Sequence, residues 1–314
     1  MGAGRLANKK EQVFGGRYVL KRKGMPGRLT ALLLVLYLLA AFLPPPGKAV
    51  PAQKHRLTIL FTHDLHSHFD PNKIVNEHDE VVLLGGLARL AAIVEREKAT
   101  NPGRVLVVDA GDFSMGTLIH TLFRTEAAEL RLMGKIGYDA TTIGNHELDF
   151  DSSGLASMLT AAKASGDPLP RLVAANIGVK PDKANGSILK QALDSYPVEP
   201  YTVIERAGIR IGIFGLFGRS ATRDLIWDED ILVENQVATA REIVKQLREK
   251  EKVDLIVCLS HGGTQTEGHS EDEILAEEVP EIDFIVSGHT HTILKQPIIK
   301  GNTIIGSAGC FGTH

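Results

Sequence analysis

Five short stretches of this 314-residue chain carry side chains of the kind that bind metal ions. They are Asp64-Leu65-His66, Asp109-Ala110-Gly111-Asp112, Asn145-His146-Glu147, Ser260-His261 and His289-Thr290-His291. Carboxylate, imidazole and amide oxygen together suit zinc, manganese or iron rather than a soft, thiolate-bound metal. The donors are too many for one ion. Two divalent ions about 3.5–4 Å apart, sharing one carboxylate, would use them all, and such a pair lowers the pKa of a shared water toward neutrality. In each Asp-x-His or His-x-His pair, extended backbone would set alternate side chains on one side, aimed at one centre. Glycines at 111, 144, 262, 263 and 288 keep the turns tight around them.

The elements that must position these groups alternate in type. Apolar strand-like runs are "LTILFT" (57–62), "RVLVVDAGD" (104–112), "DATTIGNHE" (139–147), "RLVAANI" (171–177), "VDLIVCLSHGG" (253–263) and "IDFIVSGHTH" (282–291). Between them, "GGLARLAAIVEREKAT" (85–100) sets Leu87, Leu90, Ala91 and Val94 on one helical face, charges opposite. Segments 125–137, 152–166 and 234–252 also read as helices, the last with Val237, Ala240, Ile243, Val244 and Leu247 inward. "YTVIERAGIRIGIFGLF" (201–217) reads as a hairpin turning at Ala207-Gly208, and "PIIKGNTIIGSAG" as a final β pair. Continuous apolar strands imply a sheet covered on both faces by helices, so the fold class is layered α/β. Each candidate stretch falls at the end of a strand, where ligands of α/β sheets bind.

The net charge of −3 hides an asymmetry: residues 1–52 balance at +8, leaving −11 on the remainder. An acidic main domain argues against a nucleic-acid polymer as partner. The uncharged run Leu29–Leu43 is short for a membrane span. With Arg28 before it and Ala49 or Val50-Pro51-Ala52 after it, residues 1–52 read as an export signal, or alternatively a membrane anchor. That places the protein outside the cytoplasm, periplasmic or extracellular. Two cysteines make no disulfide framework. Cys258 reads as a small buried apolar residue, with a Cys258–Cys310 bridge as the alternative.

The blocks "FTHDLHSHF", "VDAGDFSMGT", "TIGNHELDF", "LSHGG" and "VSGHTH" resemble the calcineurin-like metallophosphoesterases. "GNHELD" with "GHTH" is most similar to the branch containing 5′-nucleotidases, 2′,3′-cyclic phosphodiesterases and sulfur-oxidation thiosulfohydrolases. The resemblance runs from about Leu57 to the C-terminus. It implies a four-layer α/β/β/α sandwich over 57–314 with a dimetal site on its rim. By motif, one ion would be held by Asp64, His66, Asp112 and His291, and the other by Asp112, Asn145, His261 and His289. His146 would be the catalytic imidazole and Asp149 the carboxylate orienting it; Glu147 receives no role. The chain ends at "SAGCFGTH" without the family's C-terminal substrate domain, so it is expected to be either a single-domain relative or a fragment, and Ser67 stands where many relatives have glycine.

The activity this implies is hydrolysis of a small phosphate ester, such as a nucleotide, by a hydroxide shared between the ions. A same-fold thiosulfohydrolase and a non-catalytic metal-binding remnant are the alternatives. His55, His63, His68, His78, His120 and His269 read as ordinary loop residues, with His63 and His68 near enough to Asp64 to support it.

Overall fold

A computed structural model describes residues 56–180, 187–196, 198–225 and 230–314. The proposed export signal or anchor, residues 1–52, lies outside them. The first half runs β1 (Thr58–Thr62), β2 (Asn72–Val75), β3 (Val81–Leu84), α1 (Leu87–Thr100), β4 (Val105–Asp109), α2 (Phe123–Glu126), α3 (Ala128–Ile136), β5 (Ala140–Thr141) and α4 (Asp151–Ala164). The middle continues with β6 (Arg171–Val173), β7 (Ile177–Val179), α5 (Ile188–Ser195), β8 (Val198–Glu199), β9 (Tyr201–Arg206), β10 (Ile209–Phe217) and α6 (Arg219–Asp224). The last part is β11 (Ile231–Val233), α7 (Gln236–Glu249), β12 (Leu255–His261), α8 (Glu271–Glu278), β13 (Phe284–Ser287), β14 (Ile298–Lys300) and β15 (Thr303–Gly306).

The strands form two main sheets. One is parallel, in the order β1-β4-β5-β6-β8. The other is β14-β15-β13-β12-β10-β9, parallel at its centre with antiparallel edges. Side-chain alternation along each strand decides the layering. Leu106 and Val108 of β4 meet Ile211, Ile213, Val257, Leu259 and Val286 between the sheets. Val105 and Val107 turn the other way, onto Leu87 and Val94 of α1, Leu130 and Met133 of α3, and Leu155 and Met158 of α4. On the far side, Phe214, Ile256, Cys258 and Ile285 pack against Ala240, Ile243, Val244 and Leu247 of α7 and Leu275 of α8. The result is the four-layer α/β/β/α sandwich. Continuous apolar strands by themselves imply one sheet clad by helices. Here each sheet has one face on helices and one on the other sheet, and both arrangements make strands apolar on both faces.

The hairpin β9–β10 turns at Ala207 (φ 56°) and Gly208 (φ 75°), the two positive φ values a two-residue turn demands. Three expectations are corrected. The helix expected over 125–137 is broken at Ala127, which is left-handed (φ 46°), so α2 and α3 are separate. In "DATTIGNHE" only Ala140 and Thr141 pair as strand, and Asn145–Leu148 is a 3-10 turn. "RLVAANI" leaves the first sheet after Val173, and Ile177–Val179 pairs with β11 instead. Cys258 is buried, and Cys258 and Cys310 are free thiols, so the alternative bridge is not formed. Among the described residues, no helix is long and apolar enough to cross a membrane.

Candidate metal centre

The loops following β1, β4, β5 and β13 bring Asp64 and His66, Asp112, Asn145 and His146, and His289 and His291 together with His261, the last residue of β12, as the sequence expects. How they do so differs. Asp64 (φ 52°), His66 (49°), Asp112 (53°), His289 (73°) and His291 (53°) are all left-handed, not extended. Each such residue costs roughly 1–3 kcal/mol and persists only where its surroundings fix it. They do: Asp64 N–H donates to Gly111 O (2.9 Å), His66 N–H to Asp112 O (3.0 Å), and Phe311 N–H to Asp64 O (2.8 Å). Gly144 leaves room for the carboxylate, since a Cβ there would lie 2.1 Å from Asp112 Oδ1.

Two donor clusters result. In the first, His66 Nε2 and His291 Nε2 are 2.9 Å apart, and Asp64 Oδ1 lies 3.7 and 3.4 Å from them. In the second, His261 Nε2 faces Asp112 Oδ2 at 3.1 Å and Asn145 Oδ1 at 3.2 Å, and His289 joins Asp112 and His261. Asp112 adjoins both, its Oδ2 being 4.0 Å from His66 Nε2. A third grouping, His66, Asp112 and His146, overlaps these. Asp64, His66, Asp112, Asn145 and His261 are buried, while His291 is the exposed member.

The donor set fits divalent ions. Atoms held about 2.1 Å from a common ion are about 3.0–3.4 Å apart in octahedral or tetrahedral array, close to the 2.9, 3.1, 3.2 and 3.4 Å separations here, while His66 stands 3.7 and 4.0 Å from the two carboxylates. His261 makes the point chemically. Its Nδ1 lies 2.8 Å from Ala110 O, which can only accept, so a ring proton sits there and Nε2 is the nitrogen turned toward the two oxygens. Without a metal the position between them is taken by a proton on Nε2, and a divalent ion would take its place. Electrostatics agree: burial would lower the His261 imidazole, but Asp112 and then Asp64 pull it up to about 10. His291 is raised to about 10, chiefly by Asp64, whereas burial drives His66 down to about 4 against the pull of both carboxylates. Asp64 and Asp112 are held below the usual carboxylate range; burial opposes this, but the surrounding histidines outweigh it.

Beside the clusters, His146 Nδ1 lies 2.9 Å from Asp149 Oδ2, and its backbone N–H donates to Asp112 Oδ1 at 2.9 Å. Burial would lower the His146 pKa, but the Asp149 hydrogen bond and the charges of Asp112, Asp149 and Glu147 raise it. Glu147, to which the sequence assigns nothing, is fully buried and ties the loops together. Its Oε2 accepts from Asp112 N (2.9 Å) and Gly144 N (2.7 Å), and its Oε1 from Ser114 N (3.0 Å) and Ser114 Oγ (2.8 Å). Burial and the charge of Asp112 push it up to about 8 against those donors.

Asp109 is not in a cluster. It is locked in the sheet end by Thr62, Thr141 and Gly111 N–H. Ser67, left-handed at φ 52° where glycine would be easiest, donates to the buried Glu129 at 2.6 Å. His78 and His269 are surface residues, His269 pairing with Glu277, and His120 stacks on Phe150. His55 lies outside the described residues. Phe311, which no sequence pattern singled out, packs its ring on His66, His68 and His291 at 5.7, 4.0 and 5.7 Å.

Comparison with known proteins follows the same lines. The calcineurin-like phosphoesterase family profile matches residues 57–292. The trifunctional nucleotide phosphoesterase protein YfkN of Bacillus subtilis is 30% identical over 275 residues, 82% of this chain and 17% of that protein. The 5′-nucleotidase of Rattus norvegicus is 31% identical over 277 residues, 86% of this chain and 43% of its own. Among solved structures, the 5′-nucleotidase precursor from Thermus thermophilus superposes with a TM-score of 0.67 at 27% identity, covering 82% of this chain and 49% of that one. The chain therefore spans less than half the length of each of these proteins. The matched span holds every residue of the two donor clusters, and the chain belongs to the calcineurin-like phosphoesterase family.

Proposed function

We propose that this chain is a dimetal-dependent hydrolase of small phosphate esters, with nucleotides as the substrate class, of 5′-nucleotidase or 2′,3′-cyclic nucleotide phosphodiesterase type. Asp64, His66, Asp112 and His291 would hold one ion, and Asp112, Asn145, His261 and His289 the other, with Asp112 shared. The observation that carries this is the convergence of donor atoms: His261 Nε2 lies 3.1 and 3.2 Å from Asp112 and Asn145 oxygens, His66 Nε2 lies 2.9 Å from His291 Nε2, and Asp112 adjoins both groups. When bound, two divalent ions (zinc, manganese or iron) supply neutralisation of phosphoryl oxygens and an acidified water. The chain supplies the rest. Asp149 holds the His146 ring through Nδ1, leaving Nε2 free to give its proton to a leaving alkoxide. The raised His146 pKa keeps that proton available nearer neutrality. The family's relatives named for nucleotide substrates support the substrate class.

The test is chelator-stripped protein, reloaded with zinc, manganese or iron and assayed on AMP, 2′,3′-cyclic AMP and a thiosulfonate. Metal-dependent release of phosphate, or opening of the cyclic ester, is expected. Turnover of the thiosulfonate alone, or of nothing under any metal, overturns the proposal. The export reading rests on residues 28–52 of the sequence, with 57–314 as the catalytic domain. N-terminal sequencing should find the mature chain starting near Gln53, and an intact 29–43 run in the membrane fraction would replace the signal by an anchor.

A further inference from the structure

His63 immediately precedes Asp64 and is almost fully buried (2% exposed). Both ring nitrogens are engaged. Nδ1 lies 2.5 Å from Asp64 Oδ2, and Nε2 receives the backbone N–H of Ala308 at 2.6 Å. A backbone N–H only donates, so Nε2 must be the bare nitrogen and Nδ1 must carry the proton. Ser307 Oγ, 3.2 Å from Nε2, spends its own proton on Thr292 O at 2.7 Å and so leaves this assignment intact.

The consequence is a division of labour between the two oxygens of Asp64. Oδ2 accepts from His63 Nδ1–H and, at 2.9 Å, from the His289 backbone N–H, which lies 3.2 Å from Oδ1. Oδ1 faces His66 Nε2 and His291 Nε2. The partner that fixes the His63 tautomer comes from the segment after β15, 245 positions away in sequence. That segment is itself tied down, with Gly309 N–H on Thr292 O (2.9 Å) and Phe311 N–H on Asp64 O (2.8 Å). Hydrogen bonds to metal-binding carboxylates fix which oxygen points inward, and losing one typically costs 10–100-fold in metal affinity.

We propose that His63 is a positioning residue of the first metal half-site: it turns Asp64 Oδ1 toward His66 and His291, and residues Ser307–Phe311 set its tautomer. This rests on the two-metal reading above, and the wild-type control separates the two. If wild-type protein binds no divalent metal, the two-metal reading fails and His63 has nothing to position.

Two amide substitutions dissect the ring. His63→Asn places its amide N–H where Nδ1–H stands and drops the Ala308 contact. His63→Gln reaches Ala308 and drops the Asp64 contact. Binding of zinc and of cobalt to chelator-stripped protein would be titrated, with unfolding midpoints confirming that both variants fold. His63→Asn should keep both equivalents within about threefold of wild type, and His63→Gln should weaken one of the two by roughly 10–100-fold. The visible spectrum of the cobalt at that equivalent should change in the Gln variant only. Wild-type affinity in both variants, equal weakening of both equivalents, or a stronger loss in His63→Asn than in His63→Gln overturns the proposal. Ring ¹⁵N shifts give a readout free of metal: a proton found on Nε2 of His63 overturns it as well.

Discussion

Glu147→Ala removes the acceptor that joins the Asp112 loop to the 145–148 turn. Four donors converge on this carboxyl: the backbone N–H groups of Asp112, Gly144 and Ser114, and Ser114 Oγ. The serine hydroxyl has another acceptor within reach, His146 O at 3.3 Å. The three N–H groups do not, because they are buried in loops whose geometry left-handed residues have already fixed. An orphaned buried donor costs roughly 1–3 kcal/mol, and water entering the vacated space recovers part of it, so the loss should be about 3–6 kcal/mol. For a domain of this size, at roughly 2–4 °C per kcal/mol, that is a drop in Tm of about 6–24 °C. Glu147→Gln keeps one acceptor oxygen, enough for Asp112 N–H and Gly144 N–H, and orphans only that of Ser114. It should therefore cost about 1–3 kcal/mol. Thermal unfolding of chelator-treated protein reads both values, and metal titration should show weakened binding in the order wild type, Gln, Ala. An Ala variant within about 1 kcal/mol of wild type would mean that the two loops are held by something else, and the reasoning would be refuted.

Three further outcomes are expected. His146→Ala should keep both metals yet lose roughly 10²–10⁴ in kcat, less on p-nitrophenyl phosphate than on AMP, because a good leaving group needs little protonation; metal loss would instead make His146 a ligand, the role open to it in the His66–Asp112–His146 grouping. Asp112→Asn, which removes the charge adjoining both clusters, should lower occupancy of both ions as measured by elemental analysis, and full occupancy would rule out a bridging role. Burial pushes Asp272 up to about 7 despite the hydroxyl of Ser260, so the protein binds that proton more tightly folded than unfolded. Its stabilising contribution is therefore complete below about pH 4 and lost as pH rises through about 7. Urea midpoints at pH 5 and pH 8 should fall for wild type by an amount that Asp272→Asn does not show.

The stations of chemistry were legible in the sequence because each is short and local. "DLH", "GNHE" and "GHTH" each follow an apolar run, and a parallel strand delivers its C-terminal loop to one rim whatever the details of the sheet. The helix face of Ala240, Ile243, Val244 and Leu247 was legible for the same reason, since 3.6-residue periodicity is a property of one segment. The stacking of two sheets was not, because Leu106 and Val105 look alike whether the opposing layer is a helix or another sheet. Nor was the left-handed backbone of Asp64, His66, Asp112, His289 and His291: Asp and His tolerate positive φ better than most residues, but at Asp64 and His66 it is tertiary hydrogen bonds, to Gly111 O and Asp112 O and from Phe311 N–H, that hold it. His63 and Glu147 sit inside the very motifs that were read, yet their work depends on Ala308 and Ser114. A residue type states what a group can donate or accept, and only the folded chain decides which partner stands opposite it.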